Sequence, residues 1–151
     1  MKKLPAFLLT CLLLVCLIPT QCFAAVQKED VVYHADGSYT VTRVEQMPTA
    51  RAAGSVTGSK VTDHYSGDNV LVWTATLQAT FTYDGSSARC TAVDNLSVRI
   101  FKSGWSMASK SSSKSGNTAT GNITMRYSTL TGTGNFPVTL TLSCDKNGNL
   151  S

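Results

Sequence analysis

The stretch Val70–Cys90, VLVWTATLQATFTYDGSSARC, constrains this chain more than any other. From Leu71 the odd positions are Leu71, Trp73, Ala75, Leu77, Ala79, Phe81 and Tyr83. The even ones are Val72, Thr74, Thr76, Gln78, Thr80 and Thr82. Alternation of this kind is the pattern of a half-buried strand; a helix would scatter the same residues round its axis. The odd face carries the aromatics and is the expected core face, while the threonine face keeps strand propensity in contact with water. Asp84-Gly85-Ser86-Ser87 then reads as a turn, because Gly85 can take positive φ and Asp84 can bond its own backbone. Parity constrains the returning strand. A loop of two or four residues sets Cys90 opposite Ala79 or Phe81, inside, and a loop of three sets it opposite Thr80, outside. A structural cysteine is usually buried, so an even loop is expected.

The chain opens with Met1-Lys2-Lys3 and an apolar run, LPAFLLTCLLLVCLIP, followed by Thr20–Ala25. A charged start, an apolar middle and small residues at a cut site describe a secretory signal peptide. Cleavage after Ala24 is expected, with Cys22 and Ala24 at the small-residue positions. The run is short for a membrane span and Pro19 breaks it. No small residue stands just before any early cysteine, so a lipid anchor is not expected, and the C-terminus has no apolar tail. The expected mature product is therefore released and extracellular, with no membrane role after the signal is removed. Of 13 basic residues, Lys2 and Lys3 leave with the signal, so 11 face 9 acidic ones and the net charge falls from +4 to +2. That is too little to point to nucleic acid.

Three of the five cysteines, Cys11, Cys16 and Cys22, also leave with the signal. Cys90 and Cys144 remain, an even number in an oxidising setting, and a disulfide between them is expected. Two buried free thiols are the alternative. A catalytic thiol is disfavoured, because no histidine follows Cys90 and the only two are His34 and His64.

Residues 25–54 read as an N-terminal hairpin or arm with a linker, the hairpin turning at Asp36-Gly37 and the linker running Met47–Gly54. Residues 55–151 read as the main domain. Lys60–Tyr65 is an expected strand, with Ser66–Asn69 turning into the central one. The serine- and lysine-rich tract Ser109–Ser115 is expected to be a polar edge strand, its lysines discouraging sheet-to-sheet association. Thr118–Tyr127 alternates with Ala119, Gly121, Ile123, Met125 and Tyr127 on one face. For Trp105 and Met107 to share that face the offset must be odd, which a three-residue loop, Ser115-Gly116-Asn117, would supply. Phe136–Cys144 closes the domain with Val138, Leu140, Leu142 and Cys144 on one face. About seven strands and no helix predict an all-β antiparallel sandwich.

The order Cys90, Trp105, Cys144 resembles the cysteine–tryptophan–cysteine pattern of immunoglobulin domains, and implies an Ig-like sandwich. Two features depart from that family: Leu142 stands where the tyrosine corner would be, and only seven residues follow Cys144. A second resemblance covers roughly residues 54–151. Phe81–Thr91, Trp105, Ser115–Ala119 and Val138–Cys144 are similar to a group of small exported proteins of Gram-positive bacteria. That likeness implies export and a disulfide and carries no site.

Catalytic patterns are sparse. His34 and His64 have no cysteine or acidic cluster at metal spacing, and His64, between Asp63 and Tyr65, reads as a surface residue at a strand end. Asp145-x-Asn147-x-Asn149 has part of a calcium-loop pattern, but its glycine is misplaced and it reads as a turn. Asp84 and Asp94 are the one candidate carboxylate pair for glycoside hydrolysis. No cofactor, metal or enzymatic role is expected. Trp105, Tyr65 and Tyr127 are candidates for an exposed binding surface, whereas Trp73 belongs to the core by its face. The expected function is a non-enzymatic binding module for an extracellular protein or glycan. A secreted effector, toxin or inhibitor, is the alternative, and a hydrolase the least favoured.

Overall fold

A computed structural model describes residues 25–47, 54–130 and 132–151. The signal segment, 1–24, and linker residues 48–53 lie outside the described residues. The described residues form eight antiparallel strands and no helix. They are β1 (Ala25–Tyr33), β2 (Tyr39–Gln46), β3 (Ser55–Tyr65), β4 (Leu71–Tyr83), β5 (Ala88–Ile100), β6 (Trp105–Ser115), β7 (Thr118–Thr129) and β8 (Gly132–Ser143). The first five make one sheet in sequence order and the last three make a second. The smaller sheet covers part of the larger: β8 lies over β3 and β4, and β7 over β4 and β5.

This two-sheet architecture follows from the alternation. On β4, Trp73, Ala75, Leu77, Ala79 and Phe81 are all fully buried, and from β7 and β8 Ala119, Ile123, Met125, Leu140 and Leu142 close over them. The β4–β5 loop has four residues, and Phe81 pairs with Cys90, which faces the core as parity requires. Two single-residue bulges, at Thr91 and Asp94, then interrupt β5. Each reverses the side-chain faces, so together they cancel, and Leu96, Val98 and Ile100 pair with Leu77, Ala75 and Trp73.

Three departures from the sequence reading have physical causes. First, the strands number eight and are joined only to their sequence neighbours within each sheet. The Greek-key crossings of an immunoglobulin domain are absent among the described residues. Trp105 also lies at the Tyr127 end of β7, whereas Cys144 bonds Asn117 at the other end. It therefore does not pack on the cysteines as the immunoglobulin pattern implies. Second, the β6–β7 loop is the two-residue Gly116-Asn117, with Gly116 at φ 54. Glycine at the first central position suits a mirror-image hairpin turn. The odd offset sits instead in a bulge at Ala108, which still brings Trp105 opposite Tyr127 and Met107 opposite Met125. Third, β1 and β2 belong to the larger sheet: β2 pairs with β3 along its whole length and Val44 is in the core.

β6 is the polar edge strand that its composition indicates, exposed along nearly its whole length. Its lysines have a further use. Lys110 Nζ donates to the carbonyl of Leu96 at 2.8 Å, and Lys114 Nζ donates to that of Thr91. Thr91 is a bulge residue, where the regular pairing of β5 is interrupted. Two ammonium groups thus cap backbone acceptors where the two sheets part.

The end of the sandwich near Gly116 is closed. Cys90 N–H donates to Gly116 O at 2.8 Å and Cys144 N–H to Asn117 O at 3.1 Å, so both cysteines hang from one turn. After Cys144 the tail folds back through a turn organised by Asp145, whose carboxylate accepts from the backbone N–H groups of Asn147 and Asn149. Leu150 is thereby buried against Gly58, where a Cβ would lie 2.2 Å from its Cδ1. The opposite end is open.

Candidate functional site

The open end is built where β3 meets β4. The turn Ser66–Asn69 is closed by Ser66 N–H to Val70 O at 3.0 Å, and Asn69 takes φ 60. A bulge next to it, at Val72, sets His64 directly opposite Trp73. Both side chains point to the core face, and the rings stack with centroids 5.0 Å apart and an 11° interplanar angle. From the smaller sheet, Trp105 and Phe136 approach His64 at 5.3 and 5.0 Å, and Tyr127 packs on Trp105 at 5.4 Å. His34, in the β1–β2 turn, reaches the same cluster, 5.9 Å from His64 and edge-on to Phe136 at 5.2 Å.

Four of these rings, His64, Trp105, Tyr127 and Phe136, line a cavity of about 420 Å³ together with Val72 and a polar set that includes Asp36, Ser38, Lys102 and Asn135, while Trp73 and His34 stand behind them. That volume is in the range of small-ligand sites, which are mostly apolar with a few convergent polar groups. Within the cluster His34 Nε2, His64 Nδ1 and Trp73 Nε1 are buried with no hydrogen-bond partner. A buried polar atom without a partner costs roughly 1–3 kcal/mol, so three in one cluster is unusual.

Burial pushes the His64 imidazole down to about 4; neighbouring His34 adds to the shift and Asp36 opposes it. His64 is therefore neutral at physiological pH. Asp36 is held below the usual carboxylate range chiefly by the Ser38 hydroxyl, which donates to its Oδ1 at 2.6 Å, and then by the Ser38 N–H at 3.0 Å. One consequence is measurable. Between pH 6.5 and about 4 the unfolded chain takes up a proton at His64 that the folded chain refuses. The full contribution is present above that window and is lost as pH falls through it, by on the order of 3 kcal/mol. Urea denaturation at a series of pH values is expected to show this slope, and His64→Phe is expected to flatten it.

The residues singled out by sequence divide. Trp105 and Tyr127 meet at the cavity, as a shared binding surface requires. Tyr65 is elsewhere. It lies on the outer face of the larger sheet, stacked on Tyr39 at 4.9 Å and 8°, with Tyr33 continuing the row at 5.6 Å. His64 is not the surface residue expected; it is 2 % exposed, because its parity places it on the face of Trp73. Asp84 and Asp94 are not brought together and line different surface clefts. Asp84 accepts from the N–H groups of Ser86 and Ser87, mainly the latter, which hold it down to about 2, and Asp94 accepts from Thr80 Oγ1. Among the described residues, no three His, Cys, Asp or Glu side chains converge as a metal site.

Cys90 and Cys144 are buried free thiols in this structure. The Cys90 thiol is bonded to Ala92 O at 3.5 Å and that of Cys144 to Asp145 O at 3.3 Å. Burial raises both, that of Cys144 to about 11 with a contribution from Asp145. Neither is an activated nucleophile.

No protein-family profile matches the chain, and no curated protein matches it. Among solved structures it is similar to a hypothetical protein, lmo2686, from Listeria monocytogenes EGD-e. The identity is 19 % and the TM-score 0.47, over 82 % of this chain and 88 % of that one.

Proposed function

We propose that this protein is an exported, non-enzymatic binding module that takes a small extracellular ligand in the cavity at its open end. The observation that carries the reading is His64: it lines an aromatic cavity, is almost fully buried, and leaves Nδ1 without a partner. The cavity it borders has the size of a small-ligand site, with aromatic walls and a convergent set of polar groups. The non-enzymatic part rests on the same geometry. Asp36 and Ser38 are bonded to each other, the carboxyl is held ionised, and Asp36 is the one carboxylate among the lining residues. That is neither a nucleophile paired with a histidine base nor the acid pair of a glycosidase.

Export is supported by the first 24 residues, and with it we assign a disulfide between Cys90 and Cys144 to the mature protein. What supports the pairing is that both cysteines are buried in one core and tethered to adjacent carbonyls of one turn. The effector reading has one observation in its favour. Val70, Phe101 and Leu130 are exposed apolar side chains, and Leu130, at the tip of the β7–β8 hairpin, is fully so. Such groups suit contact with a second macromolecule.

Mass spectrometry of protein recovered from culture medium tests the proposal. The expected product begins at Ala25, lacks the mass of two hydrogens, and in native spectra carries a small molecule that Trp105→Ala releases. A product with an intact leader, or one that carries nothing and ignores every extracellular fraction offered to it, contradicts the reading.

A further inference from the structure

We propose that the ligand of this cavity is a pyranose sugar, seated with its apolar face on Trp105 and with ring hydroxyls directed to His64 and to the hydroxyl and amide groups of the lining. The inference rests on the cavity being the binding site and adds the chemical class. Three observations select that class.

The first is the character of the polar lining. His64 lines the cavity, and its neutral imidazole offers one donor and one acceptor nitrogen. The serine hydroxyls beside it both donate and accept, and the Asn135 amide has one group of each kind. A hydroxyl, which also donates and accepts, suits such a lining, whereas a carboxylate only accepts and an ammonium only donates.

The second is charge. Asp36 and Lys102 are the lining residues that carry charge, and they are opposite in sign. Oδ1 of Asp36 already accepts from the Ser38 hydroxyl and N–H, so half of that carboxylate is committed within the protein. The remainder of the polar lining is hydroxyl and amide, Ser66, Ser103, Ser128 and Asn135 among it, which matches an uncharged, hydroxyl-rich molecule.

The third is shape. The ring planes are inclined to one another: Trp105 lies at 42° to Tyr127, 54° to His64 and 70° to Phe136. None of the three is parallel to Trp105, so none forms with it the parallel slot that a flat aromatic ligand would fill. A puckered ring with one apolar face fits against Trp105 and leaves its edge for the polar groups. An acyl chain would fill the space but leave the polar lining unpaired, with its desolvation uncompensated.

The test is calorimetric titration of the mature, oxidised protein with the methyl glycosides of glucose, galactose and N-acetylglucosamine, and in parallel with indole and with hexanoate. At least one glycoside is expected to bind saturably while indole and hexanoate do not. Trp105→Ala is expected to weaken that binding about tenfold, the equivalent of one aromatic contact. His64→Phe, which keeps a ring and removes the nitrogens, is expected to weaken it by up to about tenfold, one hydrogen bond's worth. Trp105→Phe, with its melting curve recorded, guards against loss of fold in the alanine variant and is expected to lose less. Binding of indole or hexanoate with no glycoside bound would overturn the sugar and leave the cavity as a site. Silence from every probe would count against both. Glycoside binding indifferent to Trp105 and His64 would overturn the seat on those two rings.

Discussion

Trp73→Ala is expected to destabilise the fold by about 4 kcal/mol, the usual range for emptying a tryptophan site in a core. Trp73 is 0 % exposed and is the largest side chain in that condition. It lies at the junction of both sheets: opposite Ile100 on β5, stacked on His64 of β3, and edge-on to Phe136 of β8 at 5.9 Å. Its removal therefore opens a void that no single neighbour can collapse into, because the walls belong to separate strands held by their own ladders. Trp73→Phe is expected to cost less than half as much, since it keeps a ring against His64 and deletes an indole N–H that has no partner. Urea denaturation followed by far-ultraviolet circular dichroism measures both. An alanine variant within about 1 kcal/mol of the parent would mean that the two sheets do not meet at this residue.

The second large effect rests on the proposed disulfide. Closing the loop from Cys90 to Cys144, roughly 55 residues, removes unfolded-state entropy equivalent to about 4 kcal/mol in the chain-entropy treatment. Reductant is expected to lower the stability of the secreted protein by about 2–4 kcal/mol. Cys90→Ser is expected to reproduce that loss and to abolish any further response to reductant. The mechanical reason is local. Cys90 belongs to the larger sheet and Cys144 follows the last strand of the smaller, so the bridge adds a covalent tie to the shared core and to the hydrogen bonds through Gly116 and Asn117. A secreted protein whose unfolding ignores reductant carries two thiols, and the bridge is then excluded.

The fold is legible in the sequence wherever side-chain parity can be anchored on a turn. Asp84–Ser87 places Cys90 on the inside, and the alternation of β7 demands an odd offset between Trp105 and Tyr127. What parity does not reveal is where the odd residue goes. Ala108, Thr91, Asp94 and Val72 are bulges without a glycine or other local mark, set by how the strands must bend to let the sheets part and close.

Half of the site is legible by the same means. Trp105 and Tyr127 share a face by alternation, and Phe136 shares one with Leu140. His64 comes inside through the bulge at Val72, which sets it opposite Trp73 while Tyr65 pairs with Leu71. Its polar neighbours Asp63 and Tyr65 suggest a surface position instead, but they point the other way. His34 has no such signal. It sits in a turn, and only the path of β1 and β2 along the larger sheet carries it to the ring cluster. Tyr65 misleads for the opposite reason: its partner, Tyr39, lies on a strand whose existence the sequence leaves open.

The protein has two tryptophans, and both stand in the cluster at the open end. Two-dimensional nitrogen–proton spectra of the mature protein therefore show two indole N–H signals, each reporting on the proposed site. Titration with the methyl glycosides is the most direct test. The prediction is that the Trp105 and Trp73 signals move together and saturate with one affinity, while the ring signals of Tyr33, Tyr39 and Tyr65 stay still. Saturable binding that leaves both indole signals in place, or that moves the outer tyrosines instead, would contradict the assignment of this cavity as the binding site.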